Sequence, residues 1–440
     1  MKRRIASTRR YWRRDPGWKD TRNAGCLGRL LTGLLAGFSG LNALGGPHGM
    51  SVQQGNVSSA QTGSRLDVTA SHNSVINWQS FNIGAGESVN FHQPNAVSVV
   101  WNRILDTQPS QIWGSINANG IVVLMNQNGF YFGPNSSINV GGFIATTAAF
   151  SPPSPMGSGM WQFTGTPPLA SIVNYGEIKA QSGGSIFMVA EKIENHGVLS
   201  APDGTLGLYA GKEVLISERP DARGLSASVR LPEGSIDNTG KLIADAGTIA
   251  MHAQVVNNNG LVQANSVRGQ NGTIEFVASD KVELGADSLV QAKGDPAGVS
   301  DGGTISIKAA HSFADQTGSK IDVSGGVQGG NGGSVELSAP AMASLHSQLD
   351  GHAAPDWKGG DLFLDPADIT LTTADDATST PSQTVNASDP PSSLRLNVNS
   401  AFANFDTIHL QATHDISLDP GTVWNLNDST GRSDPGSMLT

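Results

Sequence analysis

Two glutamates occupy equivalent positions in a repeated sequence phrase, and such a pair of carboxyl groups could cleave a glycosidic bond. Glu275 and Glu336 are each the third residue after the glycine that opens a copy of the phrase. Glycoside hydrolases use two carboxyl groups held about 5–10 Å apart, and stacked copies of a repeat could present such a pair on one face. The copy between them has Ser306 at that position, so the carboxylates lie two copies apart. This spacing favours outward, solvated glutamates over an acid and base pair.

Other catalytic and metal-binding patterns are absent from the sequence. It contains no Gly-x-Ser-x-Gly, His-Glu-x-x-His or P-loop motif. The ten histidines show no metal-ligand spacing, and His252 falls at an outward strand position. The single cysteine, Cys26, lies in a basic N-terminal segment, so the rest of the chain has no thiol for catalysis or metal binding. The sequence therefore predicts a protein that is not an enzyme and uses no metal or cofactor.

The phrase that carries the glutamates occurs six times, at intervals of 20, 43, 25, 31 and 30 residues. Each copy is a glycine followed by apolar residues two apart, which is the period of a β-strand. A single strand of this kind cannot bury its apolar face, but stacked copies can, so the repeat predicts a solenoid. The interval of 43 is close to two coils. The copies begin at Gly184, Gly204, Gly247, Gly272, Gly303 and Gly333.

A second repeat alternates with the first and places an asparagine at a tight corner before another short strand. Asparagine and glycine tolerate the left-handed backbone that such corners use, and asparagines at one corner of successive coils can form a hydrogen-bonded ladder. Two strand phrases per coil predict an all-β fold, a right-handed parallel β-helix. A sandwich of independent hairpins is the alternative, and it would not need a near-constant interval. The corner asparagines are Asn174, Asn195, Asn238 and Asn258.

The N-terminal segment, residues 1–46, has the pattern of an extended signal peptide. It contains ten Lys and Arg residues against two acids, followed by an apolar run from Leu30 to Leu41 and small residues. The run is too short and too rich in glycine for a stable transmembrane helix. Removal of the segment leaves 17 basic and 35 acidic residues, a formal charge of about −18. The predicted mature chain is therefore exported and does not bind nucleic acid.

Between Ser74 and Thr147 several motifs follow one another in about 75 residues, and they begin at Asn77, Val89, Asn102, Ile112, Leu124 and Ile138. The segment resembles the N-terminal two-partner secretion domain, also called the haemagglutination activity domain, of the filamentous haemagglutinin family. The resemblance implies export to the periplasm and then passage through an outer-membrane β-barrel transporter, whose periplasmic POTRA domains recognise the secretion domain. It also implies that this domain caps a right-handed β-helix.

The resemblance identifies a set of candidate secretion residues. One motif, Asn126-Gln-Asn-Gly129, lies where the family usually has Asn-Pro-Asn-Gly, so that Gln127 replaces a proline that would fix the turn. Two interpretations remain open for these side chains, namely corner ladders that hold the first coils together and direct contacts with the transporter. The candidates are Gln93, Pro94, Asn95, Asn102, Arg103, Asn117, Asn119, Gly120, Asn126, Asn128, Gly129 and Asn139.

The predicted organisation has four parts: a signal peptide (1–46), the secretion domain core with its cap (47–150), β-helix repeats (151–345), and an Asp-Pro junction, linker and partial further repeats (346–440), expected of a short or truncated member. The chain is predicted to be a monomer, and the resemblance implies that it is secreted to the surface or surroundings of a Gram-negative bacterium. Adhesion to a host receptor or glycan is the predicted role. The alternatives are a secreted polysaccharide lyase or glycosidase, and a fragment with no activity of its own.

Overall fold

The computed structural model describes residues 45–149, 160–167, 169–218, 225–373, 393–402, 404–424 and 438–439. Nearly all of the predicted signal peptide, Cys26 and the Ser/Thr/Pro-rich linker predicted at 375–391 lie outside the described residues. Within the described ranges every regular element of three residues or more is a β-strand. None of these ranges contains a helix long and apolar enough to cross a membrane.

The first part of the described chain forms twelve strands of three to six residues. They are β1 (Ser51–Gln54), β2 (Val57–Thr62), β3 (Arg65–Ala70), β4 (Ser74–Trp78), β5 (Ser88–His92), β6 (Val99–Ile104), β7 (Ser110–Ile112), β8 (Ser115–Ala118), β9 (Ile121–Met125), β10 (Phe130–Phe132), β11 (Ser137–Val140) and β12 (Gly142–Thr146).

The middle part contains the longest strands. They are β13 (Met160–Thr164), β14 (Ser171–Asn174), β15 (Glu177–Ala180), β16 (Ser185–Val189), β17 (Lys192–Asn195), β18 (Val198–Ser200), β19 (Thr205–Tyr209), β20 (Gly211–Glu218), β21 (Leu225–Pro232), β22 (Ser235–Asn238), β23 (Lys241–Ile243), β24 (Thr248–Asn258), β25 (Leu261–Gln263), β26 (Thr273–Leu284) and β27 (Leu289–Gln291).

The last part continues the same pattern with short strands. They are β28 (Thr304–Ala309), β29 (Ser312–Asp315), β30 (Lys320–Asp322), β31 (Ser334–Ser338), β32 (Gln348–Asp350), β33 (Gly360–Asp365), β34 (Asp368–Thr372), β35 (Leu394–Asn397), β36 (Phe405–Leu410), β37 (Asp415–Leu418) and β38 (Met438–Leu439).

Successive coils stack through parallel strand pairs, so the all-β parallel β-helix predicted from the sequence is confirmed. The first coils contribute three strands each, for example β9, β10 and β11, rather than the two phrases that the sequence predicted. The first face stacks β4, β6, β9, β12, β16 and β19 before it continues through β24 and β26. The second face begins with β7, β10, β14, β17 and β22. The third face runs from β3 through β5 and β8 to β32.

The six copies of the repeated phrase lie in register on the first face. Thr205 pairs with Thr248, which pairs with Thr273, and the same column continues to the last copy. The glycine before each strand is required by close backbone contact, because a Cβ on Gly204 would lie 1.8 Å from the Gly184 carbonyl oxygen. That carbonyl belongs to the coil below, so any side chain at this column would push two coils apart.

One apolar core runs the length of the stack. The inward residues of the repeated phrase, Ile186, Leu206 and Ile249 among them, are fully buried and stacked coil on coil. Each such side chain stabilises the fold by about 1.5–3 kcal/mol through the hydrophobic effect. At the N terminus, β1 and β2 pair antiparallel with β4 and β3 and cover the first coil. The stack therefore begins with a cap.

A second apolar core lies outside the β-helix, beneath a three-stranded antiparallel sheet formed by β13, β20 and β21. This flap packs on the outward side of the first face, where the rings of Trp101 and Trp161 meet edge to face with centroids 5.2 Å apart. The flap strands β20 and β21 explain the interval of 43 residues. Gly204 and Gly247 open neighbouring coils, so the interpretation as two coils was wrong: the extra residues form the flap strands.

Candidate functional site

The candidate residue Asn102 lies inside the first coils, where its side chain joins three consecutive strands of the first face. The Trp78 indole Nε1–H donates to Asn102 Oδ1 over 2.9 Å, and Asn102 Nδ2 donates to the Val123 carbonyl oxygen over 3.2 Å. Asn102 is fully buried, so these bonds satisfy polar groups that water cannot reach. The asparagine therefore stabilises the stack from within.

A loop before β6 is held by two further candidates. Gln93 Nε2 donates to the Ser98 carbonyl oxygen over 2.7 Å, and the Gln93 backbone exchanges two hydrogen bonds with the Asn119 side chain of the next coil. Within the loop, Asn95 Oδ1 accepts hydrogen bonds from the Val97 N–H and the Ser98 hydroxyl. These side chains fix the loop, while Val97 itself is 73% exposed.

The turn that departs from the family pattern holds a second loop, after β6. Asn126 Nδ2 donates to the Gln108 carbonyl oxygen over 3.1 Å, and Asn128 Nδ2 donates to the Asp106 carbonyl oxygen over 2.7 Å. Gly129 has a φ of 103°, and a Cβ there would lie 2.4 Å from a backbone oxygen of the next coil. The replacement of the family's proline by Gln127, which is exposed, therefore leaves the hydrogen bonds of both asparagines in place.

The remaining candidates are dispersed over the surface. Asn117 Nδ2 donates to the Asn90 side chain over 2.9 Å on the outer side of the third face, and Pro94 and Asn139 are exposed. Gly120 is buried, and a Cβ there would lie 2.6 Å from a backbone oxygen of the preceding coil. Arg103 points outward from β6. The structure thus places the buried amides as braces within the coils and leaves Pro94, Arg103, Asn117 and Asn139 apart on the outer side.

The four corner asparagines form a continuous hydrogen-bonded series. Asn174 Nδ2 donates to Asn195 Oδ1 over 2.9 Å, Asn195 to Asn238 over 2.8 Å and Asn238 to Asn258 over 2.7 Å. The last member donates to the Ser288 hydroxyl over 2.7 Å. All four asparagines are buried, so their amides depend on one another and on the corner backbone, as in the 3.3 Å bond from Asn174 Nδ2 to the Gly176 carbonyl oxygen.

Sequence reasoning missed an aromatic ladder beside these corners. The rings of Trp113 and Tyr131, Tyr131 and Tyr175, and Tyr175 and His196 lie 5.3, 5.8 and 4.5 Å apart in centroid distance. Trp113, Tyr175 and His196 each directly precede a corner glycine, a shared position that could have revealed the ladder. Such ring pairs add about 0.5–1.5 kcal/mol each beyond the area they bury.

The carboxylates proposed for the enzyme alternative lie in one outward column. Glu275 pairs in register with Ser306, which pairs with Glu336, so two strand spacings, about 9.5 Å, separate the glutamate backbones. Glu336 accepts a hydrogen bond from the Ser306 hydroxyl over 3.0 Å and lies 2.9 Å from the Lys308 ammonium. His252 is 15% exposed and lies 3.2 Å from Glu275.

This arrangement gives Glu275 the electrostatics of a paired surface carboxylate. The hydrogen bond from His252 is the main cause that holds the pKa of Glu275 below its ordinary value, although partial burial opposes it. A general acid needs the opposite, a carboxyl whose pKa is raised toward the working pH. Within the described ranges no three or more His, Cys, Asp or Glu side chains are arranged to hold a metal ion.

The lowered pKa of Glu275 predicts a weak acid sensitivity. The contact with His252 stabilises the fold fully above the unfolded-state pKa, about 4.3, and this contribution is lost as the pH falls through the lower folded-state pKa. Because Glu275 is 45% exposed, solvent screening keeps the contribution below about 1 kcal/mol. Glu275→Gln should therefore lower the unfolding free energy slightly near neutral pH and not at all near pH 3. Urea titrations at both pH values measure it, and a difference that grows in acid contradicts the prediction.

The comparisons with known proteins agree with this fold. Residues 45–295 match the family model of the TPS secretion domain. Two curated relatives from Haemophilus influenzae, each named heme/hemopexin-binding protein, are 28% identical over 290 and 280 residues. The matches cover 62% and 56% of this chain and 31% and 29% of the relatives, so the chain spans less than a third of their length.

Among solved structures, the HMW1 secretion domain from Haemophilus influenzae superposes with a TM-score of 0.63 at 24% sequence identity. The match covers 85% of this chain and all of that domain, and it shows a shared fold. Cap, stacked coils and braced loops define a capped parallel β-helix of the secretion-domain class. Since the family model matches more than half of the chain, the chain belongs to the TPS secretion domain family. It is a two-partner secretion protein, and the resemblance predicted from the sequence is confirmed.

Proposed function

We propose that the first coils deliver this protein to an outer-membrane β-barrel transporter, through which it leaves the cell. The observation that carries the proposal is the family match, which begins at residue 45 and includes the cap and every coil braced by the candidate side chains. Buried asparagines that hold loops in fixed shapes suit a recognition element, because a preorganised loop loses little conformational entropy on binding.

Secretion itself tests this proposal. The full chain is expressed in a Gram-negative host with and without a co-expressed transporter of the two-partner class, and the mature protein is measured in the medium. We expect it there only with the transporter. A matched control carries the same leader on an unrelated periplasmic protein, which should stay in the periplasm in both strains. Release of the full chain without any transporter would falsify the proposal.

After export, we propose that the protein acts as a binding protein, and adhesion to a cell surface is the favoured role. Long solenoids present extended surfaces that suit binding, and both curated relatives are named for binding. Those names favour haem or hemopexin as a second class of ligand.

Purified mature protein should bind host cells, or haem or hemopexin, in a pull-down. The enzyme alternative instead requires turnover of a polysaccharide that Glu275→Gln abolishes.

A further inference from the structure

Within the part of the chain that the structure describes, three side chains near the end of β6 lack partners on one outward surface. Leu105, directly after the strand, is 59% exposed. Arg103, two residues earlier on the same side, forms no ion pair with any carboxylate of the described residues. On the neighbouring strand, Asn77 is paired in register with Arg103, and its shielded Oδ1 accepts no hydrogen bond from the described residues. An exposed apolar side chain and unpaired polar groups add no stability to the folded chain, so they indicate a surface that binds a partner.

The charge pattern makes Arg103 distinctive. Only five Arg, Lys, Asp or Glu residues occur between 51 and 149. Arg65 is paired with Asp67, Glu87 accepts a hydrogen bond from a backbone N–H, and Asp106 accepts one from the Gln108 N–H. Arg103 is the one charge of this group with no polar partner among the described residues. An unpaired guanidinium beside an exposed leucine suits a protein partner, since arginine is enriched in binding hot spots.

The candidate asparagines hold this surface in place. Asn126 and Asn128 fix the loop that follows Leu105 through the Gln108 and Asp106 carbonyl oxygens. On the strand itself, the Leu105 N–H donates to the Trp78 carbonyl oxygen over 2.9 Å. Leucine and arginine are therefore displayed on a rigid support. The motif side chains act through the shape of the loop, and the residues they leave exposed are free to make the contact.

We propose that Arg103 and Leu105 form the docking surface for the periplasmic part of the transporter, which would offer an apolar pocket for the leucine and a carboxylate for the guanidinium. This inference rests on the proposed function, and it assigns the contact to an arginine and a leucine rather than to the asparagines of the motifs. The exposed neighbours Thr107 and Gln127 are uncharged, and the nearest acid, Asp106, accepts a hydrogen bond from the Gln108 N–H. Specificity then depends on the single positive charge and on the fit of one side chain.

Binding of the mature chain to the detergent-solubilised full-length transporter tests the assignment. Leu105→Ser and Arg103→Glu should each weaken binding about tenfold or more, and secretion into the medium should fall with them. Leu105→Met keeps an apolar side chain and should bind within about twofold of the wild type. The matched control is Val327→Ser, because Val327 is 75% exposed and lies far along the chain. Thermal unfolding should be unchanged in all four variants.

The outcomes separate this inference from the proposed function. Wild-type export that needs the transporter, together with normal binding and export of the Leu105→Ser, Arg103→Glu double variant, overturns the docking surface alone. Wild-type export without a transporter overturns both. Sedimentation tests whether a second copy of the chain binds this surface instead. If the wild type is a dimer that Leu105→Ser converts to monomers while transporter binding persists, the surface pairs two copies and the proposal is wrong.

Discussion

Replacing Trp78 with alanine should lower the free energy of unfolding by about 4 kcal/mol, within the range for removing a large buried aromatic side chain. Trp78 is 1% exposed, packs edge to face against Phe81 with ring centroids 5.4 Å apart, and donates its indole N–H to Asn102. The substitution leaves a cavity in the first coil and an unpaired acceptor on a buried asparagine. Both penalties add, because the neighbouring coils limit relaxation.

Chemical denaturation of the mature chain measures this loss, and Trp78→Phe is the matched control. Phenylalanine keeps most of the ring volume and removes the indole donor, so it should cost about 1–3 kcal/mol, the penalty for a buried acceptor left unpaired. Equal losses for the two variants would contradict the account, because they would mean that the cavity contributes nothing. In secretion assays the alanine variant should also reach the medium more slowly, since the first coils are those proposed to deliver the chain to the transporter.

Asn195→Ala should have the second largest effect, a loss of about 3 kcal/mol. The change removes the donor to the buried Asn238 oxygen, and the buried Asn174 amide keeps only its 3.3 Å bond to the Gly176 carbonyl oxygen. Each buried group left without a partner costs about 1–3 kcal/mol. Asn139→Ala is the control, because Asn139 is exposed and substitutions at such sites stay within about 0.5 kcal/mol. Thermal unfolding of both variants measures the difference, and similar values would show that the ladder is not a stabilising feature.

The class of fold could be predicted from the sequence because the geometry of the coils requires each residue type of the repeated phrase. Gly204 and Gly247 meet the backbone of the coil below, so the glycine cannot vary, and the apolar residues after it must alternate to reach the core. The corner asparagines follow the same logic. Features that recur at one place in every coil are visible without a structure.

The third strand of each coil and the flap were not visible in this way. Strands such as β10 and β17 have only three or four residues and directly precede the corners, so they are easily taken for loop. The strands of the flap have the same period of two as the coils around them. The local sequence pattern therefore does not distinguish a flap strand from a strand of the β-helix.

The candidate site could be predicted as a set of residues but not as an arrangement. The partners of Asn102 and Asn119 lie on other coils, more than 20 residues away in sequence. Spacing along the chain does not reveal which backbone groups will face these amides. For the same reason exposed Leu105 could not be distinguished from a core leucine before the coil was built.

The asparagine ladder also gives the rod a direction. In each of its links the amide N–H of the earlier coil points to the oxygen of the later one, so the bond dipoles align and strengthen one another. While a stack grows through the coils from Asn174 to Asn258, it ends in an amide donor that has no acceptor on a following coil. The coil still to be added must bring an acceptor to that corner. As these coils are added, the two ends of the growing stack are therefore chemically different, and addition at the C-terminal end supplies the missing acceptor.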